Sequence, residues 1–222
     1  MNFTIKDASV LLNKTDKEIQ SLIKGNEIPF QKINDNFFFN KQQIVEWALL
    51  RNIPINISNH KNMSEFQVEA LNTILSQDSF CYDCVLAEDS YLEQMLNLIK
   101  LDTNVDKSII IQLLKNREAL MSTAIGNGIS LPHPRIPLMV GRRPLINFFF
   151  PRKPLDLKSI DGKPVHTIIL LISQTIKQHL GLLAHLSFML SQETFRSALE
   201  NRLDSKELLD IINLLECKRG KC

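Results

Sequence analysis

The chain has 222 residues, 44% hydrophobic and 23% charged, the composition of an ordinary globular protein with a substantial core. Its net charge of +2 supplies no large field to attract nucleic acid or an anionic membrane. No basic stretch followed by an apolar run opens the sequence, and the purely apolar runs are far shorter than the roughly 20 residues a membrane helix needs, so neither a secretory signal nor a membrane segment is expected.

From the N-terminus, Thr4-Ile5-Lys6-Asp7 has the form of a helix-capping box, and Ile5, Ala8, Leu11 and Leu12 follow at helical spacing. Thr15-Asp16-Lys17-Glu18 opens a second short helix with Ile19, Leu22 and Ile23 on one face, and Gly25 is expected to end it in a left-handed conformation. Ile28-Pro29-Phe30 and Phe37-Phe38-Phe39 flank a polar turn at Asn34-Asp35-Asn36 and suggest a small hairpin or wing. Asn40 can cap a third helix through Ile44, Val45, Trp47, Ala48 and Leu49.

This order of elements resembles the excisionase/MerR-like winged helix-turn-helix family, and the resemblance sets a first domain at residues 1–53. It implies DNA as a partner, with the second helix in the major groove and Lys14, Lys17 and Lys24 as contacts. The charge argues the other way: seven Lys and Arg against six Asp and Glu leave this segment at +1 (7 − 6). A protein-docking or dimerisation role is the alternative.

Residues 54–65 hold Pro54, several Asn and Ser58 without any period, and read as a linker. A second domain is expected over residues 66–217, with a basic tail at 218–222. Its elements are a helix around Phe66 to Leu75, a short strand from Cys81 to Leu86 and a helix capped by Asp89. Next come a helix capped by Asn104 that places Ile109, Leu113, Leu114 and Leu120 along its length, and a loop from Gly126 to Pro134. Leu145 to Phe150 and Val165 to Ile172 read as buried strands, and helices follow around Ile176–Leu190, Thr194–Leu199 and Ser205–Leu215. The fold class is therefore α+β, or α/β-like: a central mixed sheet flanked by helices, preceded by a small, mainly helical unit.

The segment Arg117-Glu118-Ala119-Leu120-Met121-Ser122-Thr123-Ala124-Ile125-Gly126-Asn127-Gly128-Ile129-Ser130-Leu131-Pro132-His133 concentrates the chemistry. Pro132 and Pro134 stiffen the chain on both sides of His133, and neutral imidazole is a competent nucleophile near neutral pH. Gly126, Asn127 and Gly128 form a loop whose N–H groups suit an anion, and Arg117 and Arg135 match phosphate oxygens. A histidine that merely caps a turn is the competing reading. Gly-x-Gly alone lacks the third glycine of a dinucleotide site.

The whole segment is similar to the motif R-E-x-x-x-S-T-x-I-G-x-G-I-x-x-P-H of the IIA component of the bacterial phosphoenolpyruvate-dependent phosphotransferase system, in its fructose, mannitol and nitrogen-regulatory class. The resemblance continues through Leu155-Asp156-Leu157 to His166, the strand to Ser173, and His179-Leu180, and spans about residues 66–216. It implies that His133 accepts a phosphoryl group on Nε2 from the phosphocarrier HPr, with His179 and Arg117 beside it. It also implies a cytoplasmic phosphoryl carrier rather than a conventional turnover enzyme, with no cofactor and no metal. No sugar-transport domain accompanies the motif, which favours a regulatory role toward a partner protein. The competing role is a DNA-binding regulator whose IIA-like domain only gates the N-terminal unit.

Other residues have plainer readings. His179 precedes Leu182, Leu183 and Leu186 at core spacing, His185 lies about 120° round the same helix, and His166 starts a strand. His60 falls in the linker. The four cysteines, Cys81, Cys84, Cys217 and Cys222, do not suggest a secreted disulfide framework, and a reduced cytosol is the default. Cys81-Tyr82-Asp83-Cys84 is a single C-x-x-C with no second pair, so incidental or buried thiols are expected. Arg142, Arg143, Arg152 and Lys153 read as solvated charge.

Overall fold

The computed structural model describes residues 3–33, 36–51, 53, 55, 69–101 and 105–218. The expected linker, apart from Ile55, lies outside these residues, as do His60 and the tail beyond Lys218. Contacts divide the chain into one unit of Met1–Val68 with Leu180–Ser191 and another of Glu69–His179 with Gln192–Cys222.

In the first unit, α1 (Ile5–Leu12) and α2 (Asp16–Lys24) each begin at a complete capping box. Thr4 Oγ1 accepts from Asp7 N–H while Asp7 Oδ2 accepts from Thr4 N–H, and Thr15 and Glu18 repeat the exchange. Asn13 ends α1 in the left-handed region. Gly25 does not take the left-handed conformation expected of it; its φ is −76°, and Asn26 (φ 53°) makes the turn instead. Asparagine tolerates that region because its short polar side chain bonds locally. Antiparallel strands β1 (Gln31–Ile33) and β2 (Asn36–Phe38) form a hairpin, with Phe30 and Phe37 packed edge to face at 5.4 Å. Asn40 caps α3 (Lys41–Leu50) through Gln43 N–H, as its residue type suggests. The buried Trp47 donates its indole N–H to Glu27 O at 2.6 Å, tying α3 to the chain after α2.

The second unit is built on five strands: β3 (Phe80–Cys84), β4 (Ala124–Gly126), β5 (Ile129–Ser130), β6 (Leu145–Pro151) and β7 (Thr167–Ile172), in the order β3-β6-β7-β5-β4. The pairs β3–β6 and β5–β7 are parallel, and β6–β7 and β4–β5 antiparallel, so the sheet is mixed. From Ile146 to Pro151 and along all of β7 every residue is buried, which explains the continuous apolar runs. One face, with Phe149, Ile168, Leu170 and Ile172, packs with residues of α5 (Tyr91–Leu98) and α6 (Lys107–Leu120). The opposite face carries Phe148, whose ring meets Phe195 of α8 (Glu193–Glu200) edge to face at 6.4 Å.

Three helix starts differ from expectation. Among the described residues before β3 there is a single α-helical turn, α4 (Leu71–Ile74), and a 3-10 turn at Gln77–Ser79; residues 66–68 of the expected helix lie outside them. In α4 the N–H groups of Leu71 and Asn72 donate to the fully buried carboxylate of Glu216 in α9 (Ser205–Lys218), at 2.5 and 3.4 Å. Ser90, not Asp89, stands at the N-cap of α5. Asp106 caps α6 by accepting from Ser108 N–H, and Asn104 lies outside the described residues.

Candidate functional site

Parallel strands end on the same edge of a sheet, and the carboxyl ends of β5 and β7 bring the key residues together. Past Ser130 the chain continues as Leu131-Pro132-His133. Leu131 N–H donates to Thr123 O at 2.9 Å, and Leu171 N–H donates to Pro132 O at 3.0 Å, so the chain stays docked beside β7 up to the histidine. The residue after β7 is Ser173, whose carbonyl accepts from Leu138 N–H at 2.8 Å. The backbone on both sides of His133 is thus fixed by hydrogen bonds as well as by its prolines.

His133 is 1% exposed. Its Nδ1 lies 2.8 Å from Leu131 O, and a carbonyl only accepts, so Nδ1 carries the proton. Arg117 Nε, which only donates, lies 3.4 Å from His133 Nε2. Two partners of opposite kind therefore select one tautomer, with Nδ1–H and a lone pair on Nε2.

Arg117 reaches this position because of the stripe it belongs to. The buried residues of α6 are Ile110, Leu114 and Arg117, at i, i+4 and i+7, so the face that packs into the core ends in the arginine. Ile109 and Leu120, which the sequence places along this helix, are 53% and 66% exposed and lie off that face. Arg117 Nη1 also donates to Met121 O at 2.8 Å, anchoring the guanidinium at the C-terminal end of its own helix.

His179 stands in the first turn of α7 (Ile176–Ser191). Its N–H donates to Thr175 O at 2.9 Å, and Gln178 N–H donates to Thr175 Oγ1 at 3.1 Å, so Thr175 terminates the helix as a cap. The His179 ring is buried with Nδ1 at 3.1 Å from Ser173 Oγ, and its centroid is 5.3 Å from that of His133. A helix start beside the imidazole of His133 favours an anion there.

The remaining residues of the motif build the frame. Glu118 accepts from Thr123 N–H and from Thr123 Oγ1, the latter at 2.6 Å, and Thr123 Oγ1 meets Ser130 Oγ at 3.1 Å. Ser122 Oγ donates to Leu157 O at 2.7 Å. These bonds lock the exit of α6 to β5, and so Arg117 to His133. Leu131 O and Ser173 Oγ are the two orienting groups the sequence did not mark. A backbone carbonyl carries no residue signature, and Ser173 was seen only as the end of a strand.

The glycine segment is placed differently from the phosphate cradle expected of it. Asn127 (φ 53°) and Gly128 (φ 69°) are the turn of the β4–β5 hairpin, at the end opposite His133. Positive φ at both positions is the signature of a type I′ hairpin turn. Asn127 N–H is already donated to Asp161 Oδ2 at 2.8 Å, and a Cβ on Gly128 would meet His166 Cδ2 at 2.1 Å. Gly126 and Gly128 thus serve a tight turn against a side chain. Asp161 is held below the usual carboxylate range: burial opposes this, and bonds from Ser159 Oγ, Asn127 N–H and Lys163 N–H outweigh it. Burial lowers the His166 imidazole below its ordinary value. Arg135 is exposed, two residues past His133. His185 is fully buried in α7. Lys14, Lys17 and Lys24 lie in the N-terminal unit, where Lys14 pairs with Glu18 at 3.7 Å. Among the described residues, no helix is long and apolar enough to cross a membrane.

Residues 83–214 match the family model of the phosphoenolpyruvate-dependent sugar phosphotransferase system, EIIA 2. A nitrogen regulatory protein of Pseudomonas aeruginosa is 32% identical over 124 residues, 54% of this chain and 79% of that protein. The fructose-specific EIIABC component of the same system in Bacillus subtilis is 28% identical over 129 residues, 57% of this chain but only 20% of that much longer protein. The crystal structure of nitrogen regulatory protein IIA-Ntr from Neisseria meningitidis shares the fold, with a TM-score of 0.55 at 24% identity, covering 65% of this chain and 99% of that one.

Proposed function

This chain belongs to the EIIA 2 family of the phosphoenolpyruvate-dependent sugar phosphotransferase system, and from that premise we propose that His133 accepts a phosphoryl group on Nε2 from an HPr-type phosphocarrier, in a regulatory rather than a transport role. The observation that carries the reading is the fixed tautomer: Leu131 O holds the Nδ1 proton and leaves the Nε2 lone pair as the nucleophile. Neutral imidazole attacks phosphorus in line as the bond to the donor breaks, and positioning with charge stabilisation supplies the catalysis. Arg117 swings from Nε2 to the phosphoryl oxygens, and His179 with the first turn of α7 faces the same charge. In a buried site a guanidinium attracts a phosphoryl dianion more strongly than it would in water.

Exposed Met121, Ile136, Met139 and Ile176 follow or precede the site residues closely in sequence and supply apolar surface for a docking carrier, with Arg135 as a charged neighbour. The regulatory role rests on the names of the relatives, since the Pseudomonas protein covered over most of its length is a nitrogen regulatory protein. The test is incubation of the full chain with enzyme I, HPr and labelled phosphoenolpyruvate. Label stable to base and labile to acid is expected on the wild type and absent from folded His133→Ala. Undiminished labelling of that variant would refute the assignment.

A second reading concerns residues 1–53 and DNA. Its support is the exposed face of α2, where Lys17, Gln20, Ser21 and Lys24 recur at i, i+3, i+4 and i+7 while Glu18 is engaged in the cap. Such a face offers hydrogen-bonding groups to base edges and two cations to phosphates. Gel shifts of the full chain over a salt series test it. Binding that weakens with salt and is lost in Lys17→Glu/Lys24→Glu supports the reading, and no shift at low salt removes it.

A further inference from the structure

Cys81 and Cys84 were expected to be incidental thiols, but β3 is distorted in a way that joins them. Side chains three residues apart on a regular strand point to opposite faces. Here the pairing of β3 with β6 slips between Cys81 and Cys84, and Asp83 takes φ 53°, a left-handed conformation that breaks the regular strand. The kink brings Cys84 Sγ to 3.1 Å from both Cys81 Sγ and Cys81 O, and both thiols are free.

Neighbours hold the kink from outside. Arg202 Nη2 donates to Asp83 Oδ1 at 3.0 Å and to Phe150 O at 3.2 Å. Tyr82 donates its hydroxyl hydrogen to Leu203 O at 2.6 Å and stacks on Phe150 at 4.7 Å. Arg152 N–H donates to Cys84 O at 2.9 Å. The conformation is over-determined, so the two sulfurs are pre-positioned without a covalent link. Cys81 is half-buried and Cys84 fully buried, so an external reagent meets Cys81 first.

We propose that Cys81 and Cys84 form a reversible dithiol–disulfide site that reacts with small-molecule disulfides. The Cys81 thiolate attacks the disulfide RS–SR, giving a mixed disulfide and one RS⁻, which takes up the proton Cys81 gave up. Cys84 then loses its proton and attacks the Cys81 sulfur; the S–S bond between the cysteines forms, the mixed disulfide breaks, and the second RS⁻ takes that proton. Two thiols are oxidised and one RS–SR is reduced to two RSH. Burial pushes the Cys84 thiol up to about 12, so ring closure accelerates as pH rises.

The test uses the full chain and glutathione disulfide as the probe. After equilibration, acid quench and alkylation in denaturant, trypsin releases a fragment with Cys81 and Cys84 but neither Cys217 nor Cys222. The wild-type fragment is expected to lose both alkylation sites together, with a mass lower by two hydrogens, and to regain them on reduction. Cys84→Ser is expected to accumulate the glutathione adduct on Cys81, and Cys81→Ser to remain alkylatable at Cys84. A wild-type fragment that stays doubly alkylatable, or that stops at the Cys81 adduct without closing, overturns the proposal. The wild-type result stands alone if either variant fails to fold.

Discussion

Arg117 Nε donates to His133 Nε2 from 3.4 Å. That contact holds the imidazole in place and occupies the position that phosphorus would take in the proposed transfer. For that transfer the guanidinium would have to move as the phosphoryl group arrives, with its anchor on Met121 O kept.

Arg117→Lys keeps the charge but loses the planar fork that contacts both Met121 O and the reacting nitrogen. Loading of His133 is expected to slow roughly a hundredfold, the scale of removing one positioned donor. The urea midpoint should move little, because the lost hydrogen bond is worth about 1 kcal/mol. Single-turnover labelling beside equilibrium unfolding separates the two effects.

Gly128→Ala places a Cβ against the ring of His166, at a backbone angle L-residues resist. A loss of about 3 kcal/mol is expected, combining overpacking with left-handed strain. In a His166→Ala background the steric part vanishes and about 1 kcal/mol of backbone strain remains. A double-mutant cycle by urea denaturation measures the difference, and an equal cost in both backgrounds would show that the ring is not the obstacle.

His166 also predicts a pH dependence. Burial lowers its folded pKa below the ordinary 6.5, and Arg202 adds to this while Glu200 and the Asn127 backbone oppose it. Above the unfolded value both states are neutral and the contribution to stability is complete. As pH falls from there through the folded value, the unfolded chain takes up the proton first and that stability is lost. His166→Asn should therefore lose less stability than wild type between about pH 7.5 and about pH 5. An identical change in urea midpoint would assign the pH dependence to other groups.

Glu216→Gln replaces with an NH₂ group one of the two carboxylate oxygens, which accept separately from Leu71 N–H and Asn72 N–H. A loss of about 2 kcal/mol is expected, since one buried acceptor is removed and one N–H group is left facing a donor. The slope of the urea transition should be unchanged, because the same surface is exposed on unfolding.

The sequence revealed most where local chemistry and burial agree. Thr4, Thr15 and Asn40 cap the helices they precede, and the mostly apolar β6 and β7 lie inside the sheet. It misled where one residue type serves two purposes. Asn127-Gly128 is a strong hairpin signal, but between Arg117 and His133 it reads as an anion loop. The buried face of α6 was not legible either, because a charged Arg117 on that face is recognised only once its partner is in place. His133 itself was visible through its prolines. The atom that orients it, the Leu131 carbonyl, is common to every residue and could not be read.

The bond from His133 Nδ1 to Leu131 O bears on departure as much as arrival. In the proposed phosphoryl-carrying role, a ring bonded to phosphorus at Nε2 that keeps its Nδ1 proton is cationic and departs as neutral imidazole, a far better leaving group than the imidazolate released by a ring without that proton. By continuing to accept the Nδ1–H hydrogen bond, the carbonyl would keep the N–P bond of the proposed phosphohistidine weak toward the next acceptor. Under that proposal the contact that prepares the nitrogen for loading also makes the load easy to surrender, and one main-chain oxygen would serve both directions of a reversible exchange.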